Sequence, residues 1–147
     1  MPRAATGADE PRVREIVRAA YEPWIPVVGM RPVPMGADYT ALIADGRVSV
    51  LGDPVSALIV LVPEPGVLLV ENVAVDPAAQ GRGLGRALLA FAEDEARRLG
   101  LPAVRLYTHR LMASNIALYE RLGYVRSQET APGLGHAVHL AKDLSSG

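Results

Sequence analysis

The chain has 147 residues, a length suited to one compact domain (residues 1–147) with a substantial buried core. It contains no cysteine, which excludes disulfides, thiolate metal sites and a cysteine nucleophile. Its 15 basic and 16 acidic residues leave a formal net charge of −1, without the basic excess of a nucleic-acid binder, and its longest aliphatic run, 57–62, is far too short to cross a bilayer.

The opening "MPRAATGADE" lacks the apolar stretch of a signal peptide, so the expectation is a soluble, cytoplasmic protein with no nucleic-acid or membrane partner. Residues 9–20 read as a helix, because Val13, Ile16, Val17 and Ala20 recur at helical spacing behind a potential N-cap at Asp9. Pro23, Pro26, Pro32 and Pro34 then argue for a stiff, irregular connection over Tyr21 to Met35. "GADYTALIADG" predicts a short second helix, with Asp38 either its N-cap or an attractor for a cationic amine.

A strand-rich stretch follows. Residues 47–51 and 55–62 predict a hairpin about "GDP", and "PEPG" turns the chain into a long strand at 67–75. That last strand is apolar on both faces, which predicts a central position covered on both sides. A helix at 83–99 places Leu84, Leu88, Phe91, Ala92, Glu95 and Leu99 near one stripe. A strand at 102–109 and a helix in "SNIALYERLGY" come next, the helix capped by Ser114 and stopped by Gly123. "YVRSQ" and "HAVHLAK" predict two closing strands. The fold class is α/β (α+β), a mixed and mostly antiparallel sheet flanked by helices on both faces.

Between the long strand and its helix stands "DPAAQGRGLGRALL", with Gly81, Gly83 and Gly85 on alternate positions and Arg82 and Arg86 beside them. A helix N-terminus offers unpaired N–H groups and partial positive charge. Glycines expose those amides, and two guanidinium groups add donors, so the stretch reads as a cradle for phosphate or pyrophosphate. It lacks the lysine of a P-loop and the glycine spacing of the dinucleotide fingerprint.

Gln80, Gly83 and Gly85 after "NVAVDP", together with "SNIALYERLGY" about thirty residues later, resemble the GNAT superfamily of N-acetyltransferases. The resemblance implies acetyl-CoA as acyl donor and a sheet whose fourth and fifth strands splay apart. It implies that Gln80 and Gly81 belong to the cofactor-binding loop and that the amides of Arg82, Gly83, Leu84, Gly85 and Arg86 hold the CoA pyrophosphate. It further implies that Val73, Ala74 and Val75 pair with the pantetheine arm and that Asn115 contacts it. Tyr119 matches the general acid of many relatives, with a packing role as the alternative. Glu71 matches the base of some, acting through water, with capping of strand polarity or an ion pair to an arginine as the alternative.

His109, at the end of the next strand, is a second candidate base or a satisfied surface histidine. Tyr21, Trp24, Met30, Arg31 and Met35, with the "APGLG" loop near Leu134, are candidates for the acceptor mouth. His136 and His139 lie three apart in a strand and face opposite sides, so no metal site is expected. The reading is an acetyl-CoA-dependent N-acetyltransferase acting on a small-molecule or peptide amine, with a homodimer as one open arrangement. A non-catalytic acyl-CoA-binding module on the same fold is the alternative.

Overall fold

The computed structural model describes residues 1–29, 32–126 and 137–144. In chain order the elements are β1 (Arg3–Ala4), α1 (Glu10–Tyr21), α2 (Ile25–Val28), α3 (Tyr39–Ala44), β2 (Val48–Leu51), β3 (Ala57–Glu64) and β4 (Val67–Val75). Then come α4 (Leu84–Arg98), β5 (Ala103–His109), α5 (Ala113–Arg121), β6 (Val125–Arg126) and β7 (Ala137–Asp143). The strands form one sheet in the order β1-β2-β3-β4-β5-β7-β6, and of the neighbouring pairs β4 with β5 is the parallel one.

Two cores cover the two faces. On one, α4 packs Leu88, Leu89, Ala92 and Ala96 against Leu68, Val70, Val104 and Leu106. On the other, Val13, Ile16 and Val17 of α1 and Tyr39 and Ile43 of α3 pack against Val48, Val50, Leu58, Val60 and Ala74. β4 touches both cores, as its two-sided apolar sequence requires.

Four expectations are corrected. The segment from Tyr21 to Met35 is not irregular: α1 extends to Tyr21, and helical turns follow at Glu22–Trp24, Ile25–Val28 and Val33–Gly36. Pro23, Pro26 and Pro34 each occupy an early helical position, where a missing N–H costs nothing, and Pro32 is the extended N-cap of the last turn. The stripe of α4 runs through Leu89 and Ala96 rather than Glu95 and Leu99, and Leu99 is exposed. The N-cap of α5 is Met112, which leaves Ser114 inside the helix. β3 begins at Ala57 rather than at Val55 and continues through Pro63 to Glu64. Of the last two predicted strands, Ser127, Gln128 and His136 lie outside the described residues.

Two irregularities of β4 position the site. Its register with β3 jumps from Val60↔Asn72 to Leu61↔Val70, which leaves Glu71 as an extra, unpaired residue in a β-bulge. The bulge re-phases the strand. Leu68 and Val70 face α4 before it; Val73 and Val75 pack on that side after it, with Ala74 in the opposite core. The second irregularity is on the other edge. β4 pairs with β5 only at Leu68↔Val104, Leu69↔Arg105 and Val70↔Leu106, whereas β5 continues along β7 to His109↔Ala137. β4 and β5 therefore separate beyond Val70, and a wedge opens at their carboxyl ends.

Candidate active site

The glycine turn is built from its sequence neighbours upward. Asp76 ends β4 and accepts hydrogen bonds from the Ala78 amide at 3.0 Å and from Arg12 Nη2 at 2.6 Å. These contacts fix the turn Pro77–Ala79 and hold the Asp76 carboxyl below the usual carboxylate range, with the Ala78 amide the leading cause. Gly81 and Gly83 then adopt φ of +85° and +76°, the left-handed region that disfavours any side chain. Gly85 has no such requirement: a Cβ there would meet Val75 Cγ2 at an ordinary 3.9 Å.

Gly83 is the N-cap of α4, and the first amide to donate inside the helix is that of Ala87, to the Gly83 carbonyl at 3.0 Å. The amides of Leu84, Gly85 and Arg86 are left without intrahelical acceptors. Arg82 and Arg86 form no ion pair with a described residue, and neither does Arg121 on α5. By contrast Arg3, Arg12, Arg14, Arg18, Arg97, Arg98, Arg105 and Arg126 all hold carboxylates.

The wedge supplies a second set of donors and acceptors. The Asp76 amide donates to the Ser56 carbonyl at 2.8 Å, so these two are a hydrogen-bonded pair of the β3–β4 ladder. Antiparallel ladders alternate, so the N–H and C=O of Val73 and Val75 point away from β3 into the gap. Ala74 is committed to β3 through its pairing with Leu58, so it meets a ligand only through its side chain and not through its backbone.

These features open onto one groove of about 720 Å³. Of the sequence-predicted donor residues, Val73, Ala74, Val75, Gln80, Gly81, Gly83, Leu84, Gly85, Arg86 and Asn115 line it, and Arg82 stands outside the lining on the exposed turn. Tyr119, Tyr21 and Trp24 line it too. Tyr119 is half-buried, packs its ring edge-on to Tyr124 at 6.3 Å and makes no hydroxyl hydrogen bond to a described residue. Burial pushes its phenol up to about 12. The Tyr21 hydroxyl donates to Asn72 Oδ1 and lies 3.2 Å from the Val73 carbonyl oxygen.

Glu71 is not in that groove. It lines a cavity of about 20 Å³ with Tyr39, Asn72 and Tyr107, room for about one water. It makes no ion pair with a described residue; Arg105, on the adjacent strand, pairs with Glu64 at 2.7 Å instead. Its carboxylate helps to hold the Tyr39 and Tyr107 phenols above their usual range, after burial, the leading cause in both.

Three other candidates fall elsewhere. His109 Nδ1 accepts from the Leu111 amide at 3.1 Å within a turn, and His109 lines neither cavity. Met35 packs on the α1–α3 core. Asp38 caps α3, accepting from the Ala41 amide at 3.1 Å. Met30, Arg31, the 131–135 loop with Leu134, and His136 lie outside the described residues. Among the described residues no group of three or more His, Asp or Glu is placed to hold a metal, and no helix is long and apolar enough to cross a membrane.

Sequence reasoning missed Asn72, Met112, Leu118 and Arg121. Asn72 had a signal: with Glu71 it is one of two polar residues in the otherwise apolar run "VLLVENVAV", and it is buried at 5% exposure. Arg121 reads as an ordinary last-turn helix cation and gave none.

Residues 14–124 match the model of the Acetyltransferase (GNAT) family. The chain is 32% identical to the S-(2-succino)cysteine N-acetyltransferase of Bacillus subtilis over 157 aligned positions, covering 97% of this chain and 94% of that protein. It is 48% identical over 54 residues to the mycothiol acetyltransferase of Thermomonospora curvata, where it spans only 18% of that protein's length. Its backbone superposes on the PaiA N-acetyltransferase of Thermoplasma acidophilum, crystallised with coenzyme A, with a TM-score of 0.78 at 16% identity over 97% of this chain and 98% of that one. That likeness concerns the fold. With the family model spanning most of its length, the chain belongs to the acetyltransferase (GNAT) family of enzymes.

Proposed function

We propose that the chain transfers an acetyl group from acetyl-CoA to a primary amine of a small molecule or peptide, by direct attack with both substrates bound. One observation carries this reading: the glycine turn, the unpaired backbone edge of β4 and the Tyr119 hydroxyl all face one groove. The turn and Arg86 suit a diphosphate, the edge suits an extended amide-bearing arm, and Tyr119 suits the sulfur.

The amine nitrogen attacks the thioester carbonyl carbon; the C–N bond forms and the C–S bond breaks. The nitrogen gives up one proton, for which Glu71 is the acceptor through the single water its cavity has room for. Sulfur leaves as a thiolate and takes a proton. A phenol at about 12 against a thiol near about 8.5 makes complete transfer from an isolated Tyr119 uphill by roughly 5 kcal/mol. Tyr119 therefore acts as a hydrogen-bond donor to the developing thiolate and keeps its own proton; the thiolate takes its proton from solvent, to which Glu71 returns the one released from nitrogen. The Val73 amide, directed into the wedge, supports the carbonyl oxygen as charge develops there. Without a cysteine in the chain to carry the acetyl group, direct transfer needs fewer assumptions than a covalent relay.

Similarity over nearly the whole length makes S-(2-succino)cysteine the first acceptor to assay, followed by peptides with free N-terminal amines. The test is release of free CoA thiol from acetyl-CoA across that panel, with Tyr119→Phe as the control. Turnover with an amine that collapses in Tyr119→Phe supports the reading. Tight acetyl-CoA binding with no turnover on any amine supports the non-catalytic module instead.

A further inference from the structure

The donor groove and the Glu71 cavity are separated by one hydrogen-bonded pair. Tyr21 and Val73 line the groove; Asn72 and Tyr39 line the cavity. The Tyr21 hydroxyl donates to Asn72 Oδ1, and Asn72 Nδ2 donates to the Tyr39 hydroxyl at 3.0 Å. Tyr39 passes the chain on to the Pro34 carbonyl at 2.6 Å. Both ends of the buried Asn72 amide are thus in use, which leaves its rotamer no freedom.

The same Tyr21 hydroxyl stands 3.2 Å from the Val73 carbonyl oxygen, which points into the wedge where β4 has no neighbour. Its phenol therefore stands at the boundary between the groove along the open edge of β4 and the cavity of Glu71. An acyl chain running past a thioester held on that edge would meet the Tyr21 ring. Moving the ring aside strands a buried amide oxygen that has no other partner among the described residues.

We propose that Tyr21 limits the length of the acyl group, as a partition whose position Asn72 fixes. This rests on the reading of the groove as the acyl-CoA site. An acetyl group stops short of the ring, and a butyryl group reaches it. Asn72 is a positioning residue: it touches neither groove nor ligand and acts through the phenol.

The test is calorimetric titration of the full chain with CoA, acetyl-CoA and butyryl-CoA, for wild type, Tyr21→Phe and Tyr21→Ala, with circular dichroism as the folding control. Wild type binds butyryl-CoA about tenfold more weakly than acetyl-CoA, the scale of discrimination a packed apolar wall delivers. Tyr21→Ala brings the two within about twofold of each other. Tyr21→Phe keeps the ring but loses its anchor, so its ratio falls between them. If Tyr21→Ala does not fold, the Tyr21→Phe ratio decides. A merely structural Tyr21 lowers all three affinities alike and leaves the ratio at its wild-type value; that result overturns the proposal, as does a wild type that accepts butyryl-CoA as well as acetyl-CoA. A wild type that binds none of the three defeats the donor-site reading itself, and the partition with it.

Discussion

Val70 and Leu106 are the last partners that β4 and β5 share, and every feature of the candidate site lies beyond them. From that pair onward the β4 backbone has an edge with no strand on it, inside the sheet rather than at its rim. A free edge is normally a liability. Here it adjoins a helix N-terminus and the Tyr119 phenol, which has no hydrogen-bond partner among the described residues, and the three together define the groove.

Tyr119→Phe leaves stability within about 0.5 kcal/mol of wild type, because its hydroxyl has no hydrogen bond to a described residue to lose. Turnover falls by about 10²–10⁴, the usual share of a positioned proton donor. Urea denaturation and the thiol-release assay check the two halves. A large stability loss with unchanged turnover would make Tyr119 a packing residue.

The two kinds of glycine in the turn respond differently to alanine. Gly83→Ala costs about 1–2 kcal/mol, since φ is +76° there. Gly85→Ala, in the first turn of α4 with only a 3.9 Å contact to Val75, is neutral or stabilises by about 0.5 kcal/mol. Denaturant midpoints of the two variants decide this. Equal losses would mean that crowding, not backbone conformation, selects both glycines.

Stability weakens at high pH. Burial pushes Tyr39 and Tyr119 each up to about 12 and raises Tyr21 and Tyr124 as well. An unfolded tyrosine releases its proton near about 10, so between the two values the unfolded chain binds fewer protons than the folded one. The contribution is complete below about pH 10 and is lost as pH rises through about 12. Urea midpoints constant from about pH 8 to 9.5 and falling steeply above about pH 10 are expected; a flat profile across that range contradicts the burial of these phenols.

Tyr39→Phe removes the acceptor for Asn72 Nδ2 and the donor to the Pro34 carbonyl. The cost is about 1–3 kcal/mol, the range for stranding a buried polar group. In a double-mutant cycle with Tyr21→Phe the two losses are non-additive, because both act through Asn72. Strict additivity would mean that the network is two independent contacts.

Much of this was legible from residues. Apolar alternation and turn residues place β2, β3 and β4, and "QGRGLG" between a strand and a helix places the turn, because glycine spacing and helix caps are local signals. The prolines at 23, 26, 32 and 34 misled: a proline forbids a helix interior but favours its first turn, and Pro23, Pro26 and Pro34 each sit in the first turn of a short one, with Pro32 at the N-cap of the last. The separation of Glu71 from Tyr119 into two cavities was not legible at all. It follows from one extra residue in β4, whose bulge is set by the register with β3 and leaves no mark in the spacing of apolar residues. Arg121 belongs to the groove only because α5 returns beside α4, a tertiary fact.

The central claim is that the turn before α4 and the open edge of β4 together hold an acyl-CoA. Calorimetric titration with acetyl-CoA tests it most directly, on wild type and on the double variant Arg86→Ala, Arg121→Ala. The account predicts one site per chain in wild type and binding at least about tenfold weaker in the double variant, as loss of charge-assisted phosphate contacts requires. A folded wild type that gives no heat and no affinity for acetyl-CoA or CoA, or a double variant that binds as tightly as wild type, would contradict it.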